Sequence, residues 1–129
     1  MARILIVDDD PDLRDGQQAF LQSRGFEVAT AAGMEEGLAE LSKFKPDLIL
    51  ADLMMEHYDT GFVFCKKVRD IPGLEEVPIL MQTAAPKEIG FTLNSYNAKA
   101  REWMKVDEVL VKPVPLEDLV GKIEQYLAR

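Results

Sequence analysis

The stretch ILIVDDD, residues 4–10, is a short run of β-branched and leucine side chains that ends in three aspartates. Three further apolar runs also end in polar residues: LILAD at 48–52, ILMQT at 79–83 and VLVK at 109–112. Runs this short and this continuously apolar are typical of strands in a parallel sheet that is covered on both faces. Because ligands bind at the carboxyl ends of strands in such sheets, we expect the polar residues that end these runs to form one functional edge.

Helical patterns fill the intervals between the strand patterns. The first helix has clear ends, because Asp10-Pro11 looks like an N-cap with proline at the first helical position and Gly25 suits a C-terminal cap. The alternation predicts right-handed βαβ crossovers and a doubly wound α/β sheet of five strands with five helices. We place strands at 4–7, 26–30, 48–51, 78–83 and 109–111, and helices from Pro11, from Glu35 to Phe44, from Phe62 to Arg69, between 84 and 108, and from Leu116 onward.

The composition fits one acidic domain. With 129 residues, 47% of them hydrophobic, the chain can build one buried core, and we expect a single domain over residues 1–129 without an attached output domain. The 23 acidic and 15 basic residues leave a formal charge of -8, which opposes direct binding of nucleic acid. The apolar run at 4–7 is too short for a signal sequence or a membrane span, so we expect a cytoplasmic protein that does not bind membranes.

Three smaller features have ordinary interpretations. Cys65 is the single cysteine, which excludes an internal disulfide and a thiolate metal cluster, and we expect it to be a small buried hydrophobic side chain. Residues 66–69, Lys-Lys-Val-Arg, are basic, and a solvated helix surface is the favoured interpretation. Met55 is expected to pack against the core.

The residues at the strand ends favour phosphoryl chemistry. Asp8, Asp9 and Asp52 would repel one another if the fold brought them together, unless a cation lay among them. Mg²⁺ meets this need because it prefers oxygen ligands and is commonly held by one or two carboxylates and phosphate oxygens. Asp52 could then act as a carboxylate nucleophile that forms an acyl phosphate. Thr83 could donate a hydrogen bond to a phosphoryl oxygen, and Lys112 could offset charge on another.

The motifs together resemble the receiver domains of two-component response regulators, in family order and near family spacing. The resemblance runs from residue 3 to the end of the chain. It implies a CheY-like, flavodoxin-like (βα)5 fold with strand order 2-1-3-4-5 and helices on both faces of the sheet. The motifs are Ile6-Val7-Asp8-Asp9-Asp10, Asp47-Leu48-Ile49-Leu50-Ala51-Asp52-Leu53-Met54-Met55, Thr83-Ala84 and Lys112-Pro113.

The same resemblance implies a role for individual residues. Asp52 looks like the phosphoacceptor, Asp8 and Asp9 look like the acid pair, and Asp9 is the expected direct metal ligand. The backbone carbonyl of Met54, two residues past the acceptor, corresponds to a further ligand of Mg²⁺, for which Mn²⁺ is an alternative. Lys112 is followed by a proline, as in the family's Lys-Pro pair, whose peptide bond is usually cis.

The function implied by the resemblance is that of a signalling switch. Such a domain is not a conventional enzyme, since it catalyses only its own phosphorylation and dephosphorylation. The expected donor is the phosphohistidine of a sensor histidine kinase or a phosphotransfer protein. Phosphorylation would shift a pre-existing equilibrium and alter the face made by the fourth predicted helix, the fifth strand and the fifth predicted helix. A downstream protein, or a second copy of the chain, would bind that face.

Several positions depart from the family pattern. Glu56 stands where proline is usual, and Gly61 comes one residue later than in the common pattern, which predicts a reshaped loop over the site. Val109 stands where many receivers carry a tyrosine or phenylalanine that reports activation. Two side chains near the acceptor usually influence how fast the acyl phosphate of a receiver is hydrolysed, and here they are Met54 and Ala85. Neither can orient an attacking water by hydrogen bonding, so we expect that self-dephosphorylation is not fast.

Three other functions are compatible with parts of the pattern. Asp8-Asp9-Asp10 contains the Asp-x-Asp of haloacid-dehalogenase-like phosphatases, with Asp8 as nucleophile and Asp10 as general acid, but Asp12 stands where threonine or valine is usual and Asp52 would have no task. A flavodoxin-like binding protein should carry a Ser-, Thr- or Gly-rich loop after the first strand, where this chain has aspartates. A receiver that acts by binding alone, without phosphorylation, is the third alternative.

Overall fold

The computed structural model describes residues 2–53, 55, 60–83 and 106–128. Within them the chain forms one five-stranded parallel sheet, in the order β2-β1-β3-β4-β5. This confirms the predicted doubly wound sheet and its strand order. The strands are β1 (Arg3–Val7), β2 (Glu27–Ala31), β3 (Leu48–Asp52), β4 (Ile79–Thr83) and β5 (Glu108–Val111), and the helices are α1 (Pro11–Ser23), α2 (Met34–Phe44), α3 (Thr60–Arg69) and α4 (Leu116–Leu127), the final helix.

Helices cover both faces of the sheet. On one face, residues of α2 and α3 such as Leu41 and Phe64 pack against the sheet in one buried apolar cluster. On the other face, Leu21 of α1 and Ile123 of the final helix pack in a second cluster. β3 and β4 are buried along their whole length because they lie inside the sheet and under both layers. The continuous apolar runs of the sequence are explained by this burial.

The first helix has the ends that its sequence predicts. The carboxylate of Asp10 accepts hydrogen bonds from the backbone N–H groups of Asp12 at 3.0 Å and Leu13 at 3.3 Å. Pro11 occupies the first turn, and Gly25, just beyond the helix, has φ +94, a left-handed conformation that favours glycine. Since Asp10 is used as the cap, it holds the start of α1 directly behind Asp8 and Asp9.

The element bounds differ from the predicted ones by one or two residues. The third helix begins at Thr60, two residues before the predicted start, because Thr60 and Gly61 are buried against the end of β3 and extend the helix toward it. The predicted fourth helix, between residues 84 and 108, lies outside the described residues. Cys65 is fully buried, as predicted, and this burial raises the pKa of its thiol to about 12. Among the helices described, none has the length and apolar content needed to cross a membrane.

The edge of the sheet opposite the strand carboxyl ends is held by Asp107. A carboxylate oxygen of Asp107 accepts the N–H of Ile79 at 2.8 Å, and the N–H of Asp107 donates to the carbonyl of Ile79 at 2.9 Å. The guanidinium of Arg69 lies 3.4 Å from the same carboxylate oxygen and donates to the carbonyls of Leu74 and Val77 at 3.1 and 2.6 Å. These bonds join the end of α3 to the starts of β4 and β5.

The expectation of a solvated basic surface at residues 66–69 is therefore wrong for Arg69. Lys66 and Lys67 are exposed, but the side chain of Arg69 is only 9% exposed. The segment that follows α3 folds back over Arg69 and offers it carbonyl oxygens. Helical periodicity within 66–69 carries no information about this returning segment.

Candidate functional site

Three of the predicted acidic residues meet at the carboxyl edge of the sheet. Asp8 follows the last residue of β1, Asp9 comes next, and Asp52 ends β3, the strand beside β1. One carboxylate oxygen from each residue lies within 4.8 Å of the other two. Asp8 is 1% and Asp52 is 6% exposed, whereas Asp9 is exposed to solvent. Two of the three carboxylates are therefore buried at the sheet edge, and the cluster is accessible to solvent on the side of Asp9.

Asp8 is held through its backbone and both of its carboxylate oxygens. Its N–H donates to the carbonyl of Ala31 at 3.0 Å, at the end of β2. One carboxylate oxygen accepts the N–H of Asp10 at 2.9 Å, and the other accepts Lys112 Nζ at 2.9 Å. The carbonyl oxygen accepts a hydrogen bond from the guanidinium of Arg14 at 2.8 Å. Asp8 thus has a defined orientation.

Arg14 was not singled out by the sequence pattern. It lies one turn into α1 and points back to the backbone of the strand end that precedes its own helix. The signal that could have found it is its place, four residues after the Asp10 cap, because side chains on a helix lean toward the amino end. An arginine at that position can reach the loop that enters the helix.

Lys112 connects the two buried carboxylates. Its Nζ lies 2.9 Å from Asp8 Oδ2 and 3.3 Å from Asp52 Oδ1, and its side chain is only 16% exposed. The Lys112–Pro113 peptide bond is cis, as the resemblance implies. The N–H of Lys112 donates to the carbonyl of Thr83 at 2.8 Å, which continues the pairing of β5 with β4. The lysine that was expected at the site is therefore directed into it.

The protonation of the site follows from burial and from these charges. Burial and the neighbouring charge of Asp8 raise the pKa of the Asp52 carboxyl from 3.8 to about 6, although Lys112 acts in the opposite direction. Burial works to lower the pKa of Lys112, but the hydrogen bond to Asp8 and the charges of Asp8 and Asp52 raise it overall. Near neutral pH, Lys112 is a cation and Asp52 is predominantly, but not completely, ionised.

The backbone around Asp52 is closely packed. The N–H of Leu53 donates to the carbonyl of Gln82 at 2.9 Å, and the N–H of Gly61 donates to the carbonyl of Leu53 at 2.7 Å. A Cβ at Gly61 would overlap the carbonyl oxygen of Asp52 and would lie 2.6 Å from the Cα of Leu53. Glycine is thus required for the first turn of α3 to approach the strand end that carries Asp52.

The remaining predicted residues are placed as follows. Thr83 is 1% exposed and ends β4, directly after Gln82, which pairs in register with Asp52. Its backbone therefore lies at the same sheet edge as the carboxylates. Met54 lies outside the described residues. Met55 is buried in the cluster with α2 and α3, as predicted.

The cluster fits a hard divalent cation. All the candidate side-chain ligands are carboxylate oxygens, which Mg²⁺ prefers. Oxygens on opposite sides of an octahedral Mg²⁺ are about 4.2 Å apart, twice the metal–oxygen distance of about 2.1 Å, and the carboxylate oxygens here lie within 4.8 Å of one another. Small movements of these side chains would bring the set to that size. Asp8, Asp9 and Asp52 are the side chains that would hold the ion.

The chain belongs to the family of response regulator receiver domains, since the model of that domain matches residues 4–124. It is 33% identical over 129 residues to the DNA-binding dual master transcriptional regulator RpaA of Synechocystis sp., a match that covers 100% of this chain and 50% of that protein. It is also 33% identical over 123 residues to an uncharacterized 14.6 kDa protein of Leptolyngbya boryana, with 95% of this chain and 88% of that protein covered. The chain is thus similar both to part of a transcriptional regulator and to nearly all of a protein of its own size.

The solved structures agree with this assignment. The chemotaxis response regulator CheY4 of Vibrio cholerae superposes with a TM-score of 0.82 at 33% identity, covering 98% of both chains. The chain spans about half the length of the first curated relatives it matches, 50% of RpaA and 52% of the transcriptional regulatory protein AfsQ1 of Streptomyces coelicolor.

Receiver domains are signalling switches and not conventional enzymes. The phosphatase alternative is excluded by this membership, and the carboxylate it needs as general acid, that of Asp10, caps α1.

Proposed function

We propose that this domain is a phosphoacceptor switch of a two-component system and that Asp52 is the residue that takes up the phosphoryl group. The observation that carries the proposal is the placement of the Asp52 carboxylate beside both an acid pair and a lysine, with Lys112 Nζ 3.3 Å from it and carboxylate oxygens of Asp8 and Asp9 within 4.8 Å. Asp52 is the one member of the carboxylate cluster that ends a central strand, β3. The match to the receiver family supports the same assignment.

The chemistry is a transfer of a phosphoryl group between two nucleophiles. A carboxylate oxygen of Asp52 attacks phosphorus, the bond from phosphorus to the nitrogen of a donor histidine breaks, and the imidazole leaves after it has taken up a proton. The product is an acyl phosphate on Asp52. Mg²⁺, held by Asp8, Asp9, Asp52 and the carbonyl of Met54, or Mn²⁺ in its place, would supply positive charge to the phosphoryl oxygens as negative charge moves onto them.

Two side chains of the protein complete this site. Lys112 is a largely buried cation that contacts Asp8 and Asp52, and it would offset charge on a phosphoryl oxygen. Thr83 is on the strand beside Asp52, and its hydroxyl would donate to another oxygen. A new hydrogen bond there would bias Thr83 and the segment beyond it toward a second arrangement.

The proposed partners follow from this chemistry. The donor is a sensor histidine kinase or a phosphotransfer protein. The phosphorylated form would present an altered face, made by the fourth predicted helix, β5 and the final helix, to a downstream protein or to a second copy of the chain. With a formal charge of -8, the domain itself is not proposed to bind nucleic acid. We propose that residues 1–129 act as one receiver domain, for which the DNA-binding function named for RpaA is not assumed.

The experiment that tests the function uses acetyl phosphate as a small phosphoryl donor. The wild-type protein and Asp52→Asn are incubated with the donor, with and without Mg²⁺, and their intact masses are compared. We expect the wild type to gain one phosphoryl group only with Mg²⁺ and Asp52→Asn to gain none. A gain of the same size in Asp52→Asn would assign the acceptor to another residue. If the wild type gains nothing from acetyl phosphate or from a phosphorylated histidine kinase, the domain acts by binding alone.

A further inference from the structure

Gln17 of α1 and Gln82 of β4 form a buried amide pair, although they are 65 residues apart in the sequence. Nε2 of Gln17 donates to Oε1 of Gln82 at 3.0 Å, and Nε2 of Gln82 donates back to Oε1 of Gln17 at 3.4 Å. The two residues are 3% and 1% exposed. Gln17 is one of only two fully buried residues of α1, and the other, Leu21, lies in the apolar cluster on this face of the sheet. A polar pair thus joins helix and sheet in apolar surroundings.

Each member of the pair belongs to an element that carries part of the site. Gln17 is on the helix that begins immediately after Asp8 and Asp9. Gln82 precedes Thr83, pairs in register with Asp52, and accepts the N–H of Leu53 through its carbonyl at 2.9 Å. The pair therefore bridges the part of the site on the β1–α1 connection and the part on β3 and β4.

Stability alone does not account for amides at these two positions. When both partners of a buried hydrogen bond are replaced by apolar groups of the same shape, the effect on stability is often close to neutral. Two leucines would fill similar space and would match the surrounding cluster. Hydrogen bonds differ from apolar contacts because they are directional, and a satisfied buried pair can select one arrangement of the elements it joins.

We propose that the Gln17–Gln82 pair positions the acidic site by fixing α1 relative to the carboxyl end of β4. The pair acts through the two elements it joins. α1 follows Asp8 and Asp9 closely in the chain, whereas β4 ends at Thr83 and pairs with β3, which ends at Asp52. The spacing that it sets is the spacing that metal binding and phosphoryl transfer depend on, so the inference rests on the proposed function. Gln17 and Gln82 are positioning residues and not catalytic ones.

The test separates positioning from packing with three variants: Gln17→Leu, Gln82→Leu and the double variant. Each single variant leaves one buried amide without its partner, so we expect both to unfold at lower urea concentration than the wild type. The double variant replaces the amide pair with an apolar contact and should regain most of that loss. Its Mg²⁺ affinity, measured by calorimetry, should nevertheless stay about three- to tenfold weaker than that of the wild type. Loss of a side chain that bonds directly to a metal ligand typically weakens metal binding by about tenfold or more, and the effect of this more distant pair should not exceed that.

A matched control and a metal-free measurement make the result decisive. Ile123→Val removes buried volume from the final helix on the same face of the sheet and should leave Mg²⁺ affinity unchanged. Two backbone amides report on the site in metal-free protein: the N–H of Asp10, which donates to the Asp8 carboxylate, and the N–H of Lys112, which donates to the Thr83 carbonyl. Hydrogen exchange at both should be faster in the double variant than in this control. Wild-type affinity or wild-type exchange in the double variant would overturn the inference. A wild type without Mg²⁺ binding would instead refute the proposed function, and the exchange comparison would still decide the role of the pair.

Discussion

The ammonium nitrogen of Lys112 lies 2.9 Å from a carboxylate oxygen of Asp8, a residue 104 positions earlier in the chain. The same nitrogen is 3.3 Å from Asp52. The lysine thus neutralises part of the negative charge that β1 and β3 bring to one sheet edge, and it does so from β5, the strand at the end of the sheet. The charge balance of the site depends on a contact between the residues that directly follow the first and last strands in the sequence.

Replacement of Lys112 by methionine tests this balance. Lys112 lowers the pKa of Asp52, so its removal should raise that pKa above its wild-type value of about 6, as followed by NMR of the carboxyl carbon. The buried Asp8 also loses a partner, and we expect a stability loss of about 3–5 kcal/mol in urea unfolding. Lys122→Met is the control, because Lys122 pairs with Glu108 at 2.8 Å but is more exposed, and it should cost under about 1 kcal/mol. An unchanged Asp52 pKa in Lys112→Met would contradict the assigned contact.

Asp52→Asn should stabilise the protein at neutral pH while removing phosphorylation. A carboxyl whose pKa is raised from 3.8 to about 6 contributes stability at low pH that is lost as the pH rises through 6, because the charged form is disfavoured in the fold. We therefore expect Asp52→Asn to be about 1–2 kcal/mol more stable than wild type at pH 7, with a discount for partial solvation of the carboxyl. The difference should shrink between pH 6 and pH 4 in urea unfolding. A constant difference across that range would show that charge is not its cause.

The phosphorylation rate should depend on pH with a midpoint set by Asp52. The nucleophile is the carboxylate, so in limiting Mg²⁺ the initial rate with acetyl phosphate should fall as the pH drops through about 6. A bound divalent cation favours the charged form of Asp52, and raising Mg²⁺ should move the midpoint to lower pH. Rates are measured by intact mass at several Mg²⁺ concentrations. A midpoint that does not move with Mg²⁺ would argue against Asp52 as a metal ligand.

Gly61→Ala should destabilise the protein through a clash at the site. The new methyl group would overlap the carbonyl of Asp52 and the backbone of Leu53, and we expect a loss of about 2–3 kcal/mol. Gly16→Ala is the matched control, because Gly16 is inside α1 and a Cβ there meets nothing within 4 Å. That change should stabilise the protein by about 0.5–1 kcal/mol. Urea unfolding compares both variants with wild type, and similar effects at the two positions would refute the close approach.

Arg14→Gln distinguishes two effects of opposite sign on Mg²⁺ affinity. Loss of a positive charge near the cluster favours the cation, whereas loss of the 2.8 Å hydrogen bond to the Asp8 carbonyl loosens the loop that carries the acid pair. The charge effect is only partly screened at 0.15 M salt, but the lost hydrogen bond from a charged donor, worth about 1.5–3 kcal/mol, should outweigh it. We therefore expect calorimetry to show that Mg²⁺ binds about threefold more weakly. Arg24→Gln, which removes a surface pair with Glu117, should leave affinity unchanged. Tighter binding of Mg²⁺ by Arg14→Gln would show that the lost positive charge matters more than the lost hydrogen bond.

The fold was predictable because its signals are local and repeated. Apolar runs, the Asp10 cap and Gly25 placed the first helix and all five strands within a residue of their observed bounds. The start of α3 was predicted two residues late, because Thr60 and Gly61 look like loop residues until the contact with Leu53 is known. A contact between two elements does not alter the periodicity of apolar residues in either one, so periodicity cannot predict it.

The candidate site was predictable only in part, for a related reason. Asp8, Asp9, Asp52 and Lys112 lie at strand ends, and the parallel sheet brings strand ends together. The residues that support them were not predicted, because they reach the site from elsewhere. Arg14 reaches back from α1 to the carbonyl of Asp8. Side chains that bond to distant backbone groups have no signature in their own segment.

The bonds around Asp107 give β4 an anchored end. Asp107 holds both backbone groups of Ile79, and Arg69 fastens the same corner to α3, whereas Thr83 at the other end of the strand borders the carboxylate cluster. A strand that is fixed at its origin cannot slide along its neighbours. A displacement of Thr83 would therefore be expressed at the carboxyl end of β4, beside Asp52 and Lys112, and not at the base of the sheet.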